Sequence, residues 1–187
     1  MLLFFFCIII IFCMDINYFK KIRLLDGGMG QELLSKGLKP RGTLWSATAL
    51  IDKKYHQLVV DTHLDFIKSG ADVIVTNNFS ARRTRTTQNN VDEYFIYANK
   101  KAGELALKAK QISKKNILIA GSLPAQNNTY HPDKRDESLI NKNLSDQAYL
   151  LKPFIDFFYL DVLSSIREVK IALSVVEKIN LPVLVGL

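Results

Sequence analysis

An acid at the head of a glycine-rich turn is the first group in this chain with chemistry in view. In RLLDGGMGQELLSKG, Arg23 to Gly37, an apolar run ends on Asp26, and Gly27, Gly28 and Gly30 follow within four positions. A carboxylate so placed can accept charge-assisted hydrogen bonds from an ammonium group. Comparable polar groups recur downstream: Thr76 and Asn77 in ADVIVTNNF, Ser122 in NILIAGSL and Asp161 in IDFFYLDVL. Each taken singly is an ordinary capping or turn residue. Their recurrence at one kind of place shifts the balance toward a site.

That place is the C-terminal end of a short apolar run. Residues 22–25, 71–79, 116–123, 155–163 and 181–187 read as strands, nearly continuous in apolar residues as expected of strands covered on both faces. Between them, residues 55–68, 93–112 and 165–179 carry apolar residues at helical spacing with lysines opposite. Strand and helix in alternation specify an α/β protein with right-handed crossovers. An open doubly wound sheet and a (β/α)8 TIM barrel both fit that alternation. The turn DGGMGQE lacks the G-x-G-x-x-G spacing and sets an acid where a phosphate would be repelled, so a dinucleotide-binding reading is weak. Barrels draw their functional groups from the C-terminal ends of successive strands. The polar strand ends therefore favour a barrel, with about the first five β/α units present. Five strands do not close it, and the open edge offers a route to self-association.

Composition narrows the classes of function. A chain of 187 residues, 48% hydrophobic and 23% charged, is able to bury a real core. The net charge of +7 is spread over paired lysines along helices, which reads as solvated surface and not as a nucleic-acid face. The opening MLLFFFCIIIIFCM is too short to span a bilayer and lacks the charge order of a secretory signal. It is expected to be an apolar leader, residues 1–14, from a misassigned start, with Met14 the true one and residues 15–187 forming the domain. Both cysteines, Cys7 and Cys13, fall in that leader, as suits a cytoplasmic protein with no membrane partner. His56, His63 and His131 show no zinc-site spacing and read as helix-surface or loop residues. Trp45 reads as loop packing, the arginine-rich 81–90 as a solvated loop, and 126–137 as a loop helping to cover the site.

The segments LLDGGMGQEL, LWSATAL, SGADVIVTNNFSA, AGSLPAQNNTYHPD and LDVLSSIREVKIAL, followed by LPVLVGL, carry a specific likeness. In order and spacing the chain resembles the homocysteine S-methyltransferase family from about Ile22 to Leu187. The resemblance implies a (β/α)8 barrel that moves a methyl group from a sulfonium or betaine-type donor to homocysteine, giving methionine. It implies that Asp26 binds the homocysteine ammonium, that the backbone of Gly27 and Gly28 lets the amino acid lie close, and that Gly30 likewise removes a blocking Cβ. Met29 would wall the sulfur-bearing chain and Thr76 would touch the substrate. Asp161 stands where the family usually has glutamate, a second acid for the amine set back by about 1.5 Å, one carbon–carbon bond. The family activates the homocysteine sulfur with zinc held by three cysteines of later strands, and none of those is present. The expectation is a chain with no catalytic residue of its own, no supported cofactor and no activity alone. The alternative is a non-catalytic half-barrel serving as an interaction or amino-acid-binding module.

Overall fold

The computed structural model describes residues 16–186, so the apolar leader lies outside the described residues. Four strands, β1 (Val73–Val75), β2 (Leu118–Pro124), β3 (Phe157–Asp161) and β4 (Val183–Val185), form one parallel sheet in the order β1-β2-β3-β4. The register pairs Val75 with Ala120, Pro124 with Asp161, and Tyr159 with Leu184. The helices are α1 (Met29–Ser35), α2 (Thr48–Ile51), α3 (His56–Lys68), α4 (Arg83–Gln88), α5 (Phe95–Ser113), α6 (Glu137–Leu151) and α7 (Ile166–Ile179). Helices α5, α6 and α7 each return the chain from one strand to the next, in sequence order. This is the winding of a (β/α) barrel, in its first part.

The expected first strand is reduced. Ile22–Leu25 makes only a single parallel bridge, Leu25 to Val73, and the Leu24 carbonyl accepts from both Asp72 and Val73 N–H. Ile22 and Leu24 are exposed, so little apolar burial holds the segment flat against β1. Arg23 holds it instead, stacking over Tyr18 and pairing with Asp72 at 3.5 Å. The bridge nonetheless delivers Asp26 to the mouth of the sheet, where its N–H donates to Val73 O at 2.9 Å.

Two apolar layers lie outside the sheet and one inside. Outside, α1, α3 and α5 pack through Leu33, Val59, Ile67, Ala102 and Ala106, and α6 and α7 through Ile140, Leu144, Ile171 and Val175. Each fully buried aliphatic side chain contributes about 1.5–3 kcal/mol, which is what fixes these helices. The small residues along α5 let it lie close, and a Cβ on Gly103 would come within 2.5 Å of the Phe154 ring. Inside, Val73, Ala120 and Phe157 form the lowest layer, closed from below by Tyr18 and Phe19 of a 3-10 turn, Ile16–Lys20. Helix α7 starts where the sequence places it: Ser165 Oγ accepts from Glu168 N–H while the Glu168 carboxylate accepts from Ser165 Oγ. Helix α6 is not among the elements expected from the sequence. Its inner face carries Asn143 and Gln147 beside Ile140 and Leu144, which blurs the apolar period. No helix among the described residues is long and apolar enough to cross a membrane.

Candidate functional site

Above the inner layer, at the C-terminal ends of the strands, lies a cavity of about 440 Å³. Asp26, Gly27, Gly28, Met29, Thr76 and Asp161 all line it, with Trp45, Asn77 and Tyr159. These six residues, expected from the sequence at three separate strand ends, are brought by the fold to one space. Asp26 follows the Leu25 bridge, Thr76 follows β1, and Asp161 closes β3.

The two acids define the electrostatics. Val75 N–H donates to Asp26 Oδ2 at 2.9 Å, and Ser122 Oγ donates to Asp161 Oδ2 at 3.0 Å. Burial pushes the Asp26 carboxyl up to about 7; the Val75 hydrogen bond opposes this and the charge of Asp161 adds to it. Asp161 is also raised by burial, with the Ser122 hydrogen bond opposing. Tyr159 is raised in turn by burial, then by Asp161 and Asp26. Among the described residues no lysine or arginine lines this cavity. Two carboxylates with no fixed cation between them leave a place for a cationic group from outside.

Thr76 has a structural task besides its place on the wall. Its hydroxyl donates to Asn78 Oδ1 at 2.6 Å and accepts from Ser122 N–H at 3.0 Å. Asn78 reaches Ser122 O and Asn99 Oδ1, and Gln147 of α6 donates to Asn99 Oδ1 at 3.1 Å. This buried network ties the ends of β1 and β2 to α5 and α6, fixing the height of the cavity rim. The polar residues on the inner faces of α5 and α6 are its trace in the sequence.

All three glycines line the cavity, and two of them also make room for rings of the protein itself. A Cβ on Gly30 would run into Trp45 Nε1, and one on Gly27 would lie 3.0 Å from the Phe66 ring. Gly28 has only ordinary contacts at 3.8 Å. The bare backbone at Gly27 and Gly30 thus makes room for the protein's own rings, while Gly28 leaves its side of the turn open. Gly30 in particular lets the Trp45 indole lie across α1 at the cavity edge, so Trp45 is a wall of the site as well as loop packing. Trp45 holds φ 49° and ψ −128°, a conformation that a bulky residue adopts at a cost of about 1–3 kcal/mol. Val162, directly after Asp161, also has positive φ, at 56°. Backbone strain therefore flanks both sides of the cavity.

Three further expectations need correction. His63 is fully buried within α3, on the stripe of Val59, Val60 and Ile67, and its Nδ1 sits 4.0 Å from Asp26 Oδ2. Burial pulls it down to about 3, so it stands neutral behind the acid, with no hydrogen-bond partner for either ring nitrogen among the described residues. Its position four residues from Val59 and Ile67 is the signal in the sequence that places it inward. The arginine-rich segment is no solvated loop: Arg82 is 1% exposed and Arg83–Gln88 is helical. The segment 126–137 does not line the cavity of Asp26; Arg82 binds its start through Ala125 O and Thr129 Oγ1. His56 is half-buried against Leu50 O, and His131 is exposed.

The donor groups present do not fit the zinc ion that the resemblance implies. Asp26 lines the cavity with His63 buried behind it at 4.0 Å, and among the described residues no group of three or more His, Cys, Asp or Glu could hold a metal. A catalytic zinc takes three protein ligands, and Asp26 and Asp161 with a fully buried imidazole do not gather into such a set.

The profile of the family described as homocysteine S-methyltransferase matches residues 23–187. The chain belongs to the homocysteine S-methyltransferase family. The Homocysteine S-methyltransferase of Escherichia coli is 32% identical over an alignment of 109 residues that covers 54% of this chain and 34% of that protein. Homocysteine S-methyltransferase 3 of Arabidopsis thaliana is 40% identical over 58 residues, 31% of this chain and 16% of its own length. The metallated crystal structure of the homocysteine methyltransferase MmuM from Escherichia coli superposes with a TM-score of 0.74 at 22% identity. That match covers 88% of this chain and 62% of MmuM, and so shows the shared fold. The chain spans less than two thirds of the length of the relatives it matches.

Proposed function

We propose that the cavity binds homocysteine, as the amino-acid half of a homocysteine S-methyltransferase site. The observation that carries this reading is the pair Asp26 and Asp161 facing one cavity with no basic side chain on its wall among the described residues. An α-ammonium group between them replaces two carboxylates in conflict with a charge-assisted pair. Each such hydrogen bond to a charged group contributes about 1.5–3 kcal/mol. Met29, buried beside Asp26, offers a polarizable thioether surface to the sulfur-bearing end. In this reading Asp161 reaches the amine in spite of its short side chain, because Ser122 fixes one oxygen and leaves the other free.

The reaction would be transfer of a methyl group from a sulfonium or betaine-type donor to the homocysteine sulfur, giving methionine. A thiol of ordinary pKa about 8.5 must be turned into thiolate for that step. The described residues supply no donor set that would hold a metal for it, so the chain on its own is proposed to bind the amino acid without turning it over. We further propose the cytoplasm as its location. A second reading, a half-barrel that self-associates, rests on β4, which among the described residues pairs on one side only.

Trp45, the single tryptophan of the chain, lines the cavity and reports occupancy directly. Titration with homocysteine should change its emission with saturation, whereas 4-mercaptobutanoate, which lacks the amine, should bind at least tenfold more weakly. Equal affinity for the two compounds would rule out recognition of the ammonium. Sedimentation that shows a dimer with no homocysteine response would favour the second reading.

A further inference from the structure

Beside the first cavity, sharing Trp45 and Phe79 as walls, lies a second recess of about 430 Å³. Its polar lining is Arg82, Arg85, Thr43, Ser80 and Thr129, with no carboxylate among the described residues. The arginines of this region divide into two kinds. Arg83 pairs with Asp92 at 2.9 Å and Asp146 at 3.7 Å, and Arg135 pairs with Asp133 at 2.6 Å. Arg82 and Arg85, the two that face the recess, have no carboxylate within ion-pair distance among the described residues.

Arg82 is the more unusual of the two. It is 1% exposed, donates Nη1 to Ala125 O and Nη2 to Thr129 Oγ1, and keeps a buried Nε with no partner among the described residues. Burial, then the charges of Arg85 and Arg135, pull it down to about 10. A buried guanidinium with no counter-charge is costly, and in folded proteins such a group is normally paired. Its neutral contacts anchor the segment after β2, but they leave its charge and that of Arg85 unbalanced. Hydroxyls of threonine and serine around two guanidinium groups form the donor set that binds a planar or tetrahedral oxyanion.

We propose that this recess is an oxyanion subsite, taking the carboxylate or phosphate group of a small molecule whose remainder lies against Trp45 and Phe79. Arg85, half-buried and with no ion-pair partner among the described residues, supplies the fork that engages the anion, and Arg82 supplies the fixed positive floor. The shared aromatic walls place such a ligand next to the cavity of Asp26 without using its acids.

The test titrates the full chain with inorganic phosphate and, separately, with acetate, ionic strength being held constant with chloride. Trp45 emission and thermal midpoint are both followed, in the absence of homocysteine. Saturable binding of either anion that weakens at least tenfold in Arg85→Gln supports the subsite; the anion preferred says which kind of ligand it serves. Arg85→Lys should recover part of the loss, since it restores the charge and not the fork. Asp26→Asn should not weaken the anion response, so failure of the homocysteine reading leaves this result standing. A response that only follows ionic strength, or one equal in wild type and Arg85→Gln, overturns the proposal. Because Arg85 is not packed in the core, loss of folding does not confuse the comparison, and circular dichroism of the variant verifies it.

Discussion

Replacing Asp26 by asparagine should make the empty protein more stable at neutral and alkaline pH, even though it damages the proposed binding site. Asp26 is raised by burial from 3.8 to about 7 in the folded chain. Between those values the folded state holds a proton that the unfolded state has lost, so stability falls as pH rises from about 4 to about 7. About three pH units at about 1.4 kcal/mol each make this of order 4 kcal/mol by pH 8. The asparagine side chain is isosteric with the protonated acid and can still accept from Val75 N–H, so it keeps the contact and removes the penalty. Thermal unfolding at pH 5 and pH 8 measures the effect. The variant should gain about 8–16 °C at pH 8, at about 2–4 °C per kcal/mol for a domain of this size, and less than half of that at pH 5. A variant no more stable than wild type at pH 8, or a difference that does not change with pH, would refute the reasoning. The acid would then be solvated or already paired.

Other positions give further expectations. Gly30→Ala drives a Cβ into Trp45 Nε1 and should displace the indole, red-shifting its emission and costing about 1–3 kcal/mol in denaturant unfolding. Ser122→Ala removes the hydroxyl that steadies Asp161 and should lower homocysteine affinity several-fold, with a stability loss of about 1 kcal/mol. Gly103→Ala should destabilise despite its better helix propensity, because Phe154 occupies the space, and urea unfolding should show a lowered midpoint. Asn99→Leu breaks the bonds to Ala81 O and Phe95 O and removes the acceptor shared by Asn78 and Gln147, a change that should cost about 2–4 kcal/mol in urea unfolding and loosen the cavity rim.

Much of the candidate site was legible because a parallel barrel gathers the polar groups at its strand ends around one cavity. Apolar runs ending at Thr76 and Asp161 announced both the strand and the group it presents. Helices α3, α5 and α7 were legible from their spacing. What escaped was decided by contacts across the chain. Gly27 and Gly30 look like room for a ligand until Phe66 and Trp45 are seen to fill the space. His63 resembles any polar helix residue until its stripe is found turned inward behind Asp26. Arg82 sits in a polar stretch, and only the course of the chain after β2 buries it. The weak first strand reflects its two exposed side chains, which no local pattern reveals.

The central claim is that Asp26 receives an ammonium group, and a crystal structure of the chain grown with homocysteine tests it most directly. The account predicts the amino nitrogen within about 2.7–3.2 Å of an Asp26 carboxylate oxygen, with Asp161 on its other side and the sulfur toward Met29. Homocysteine bound with its amine away from both acids, or a cavity that stays empty at saturating ligand, would contradict it.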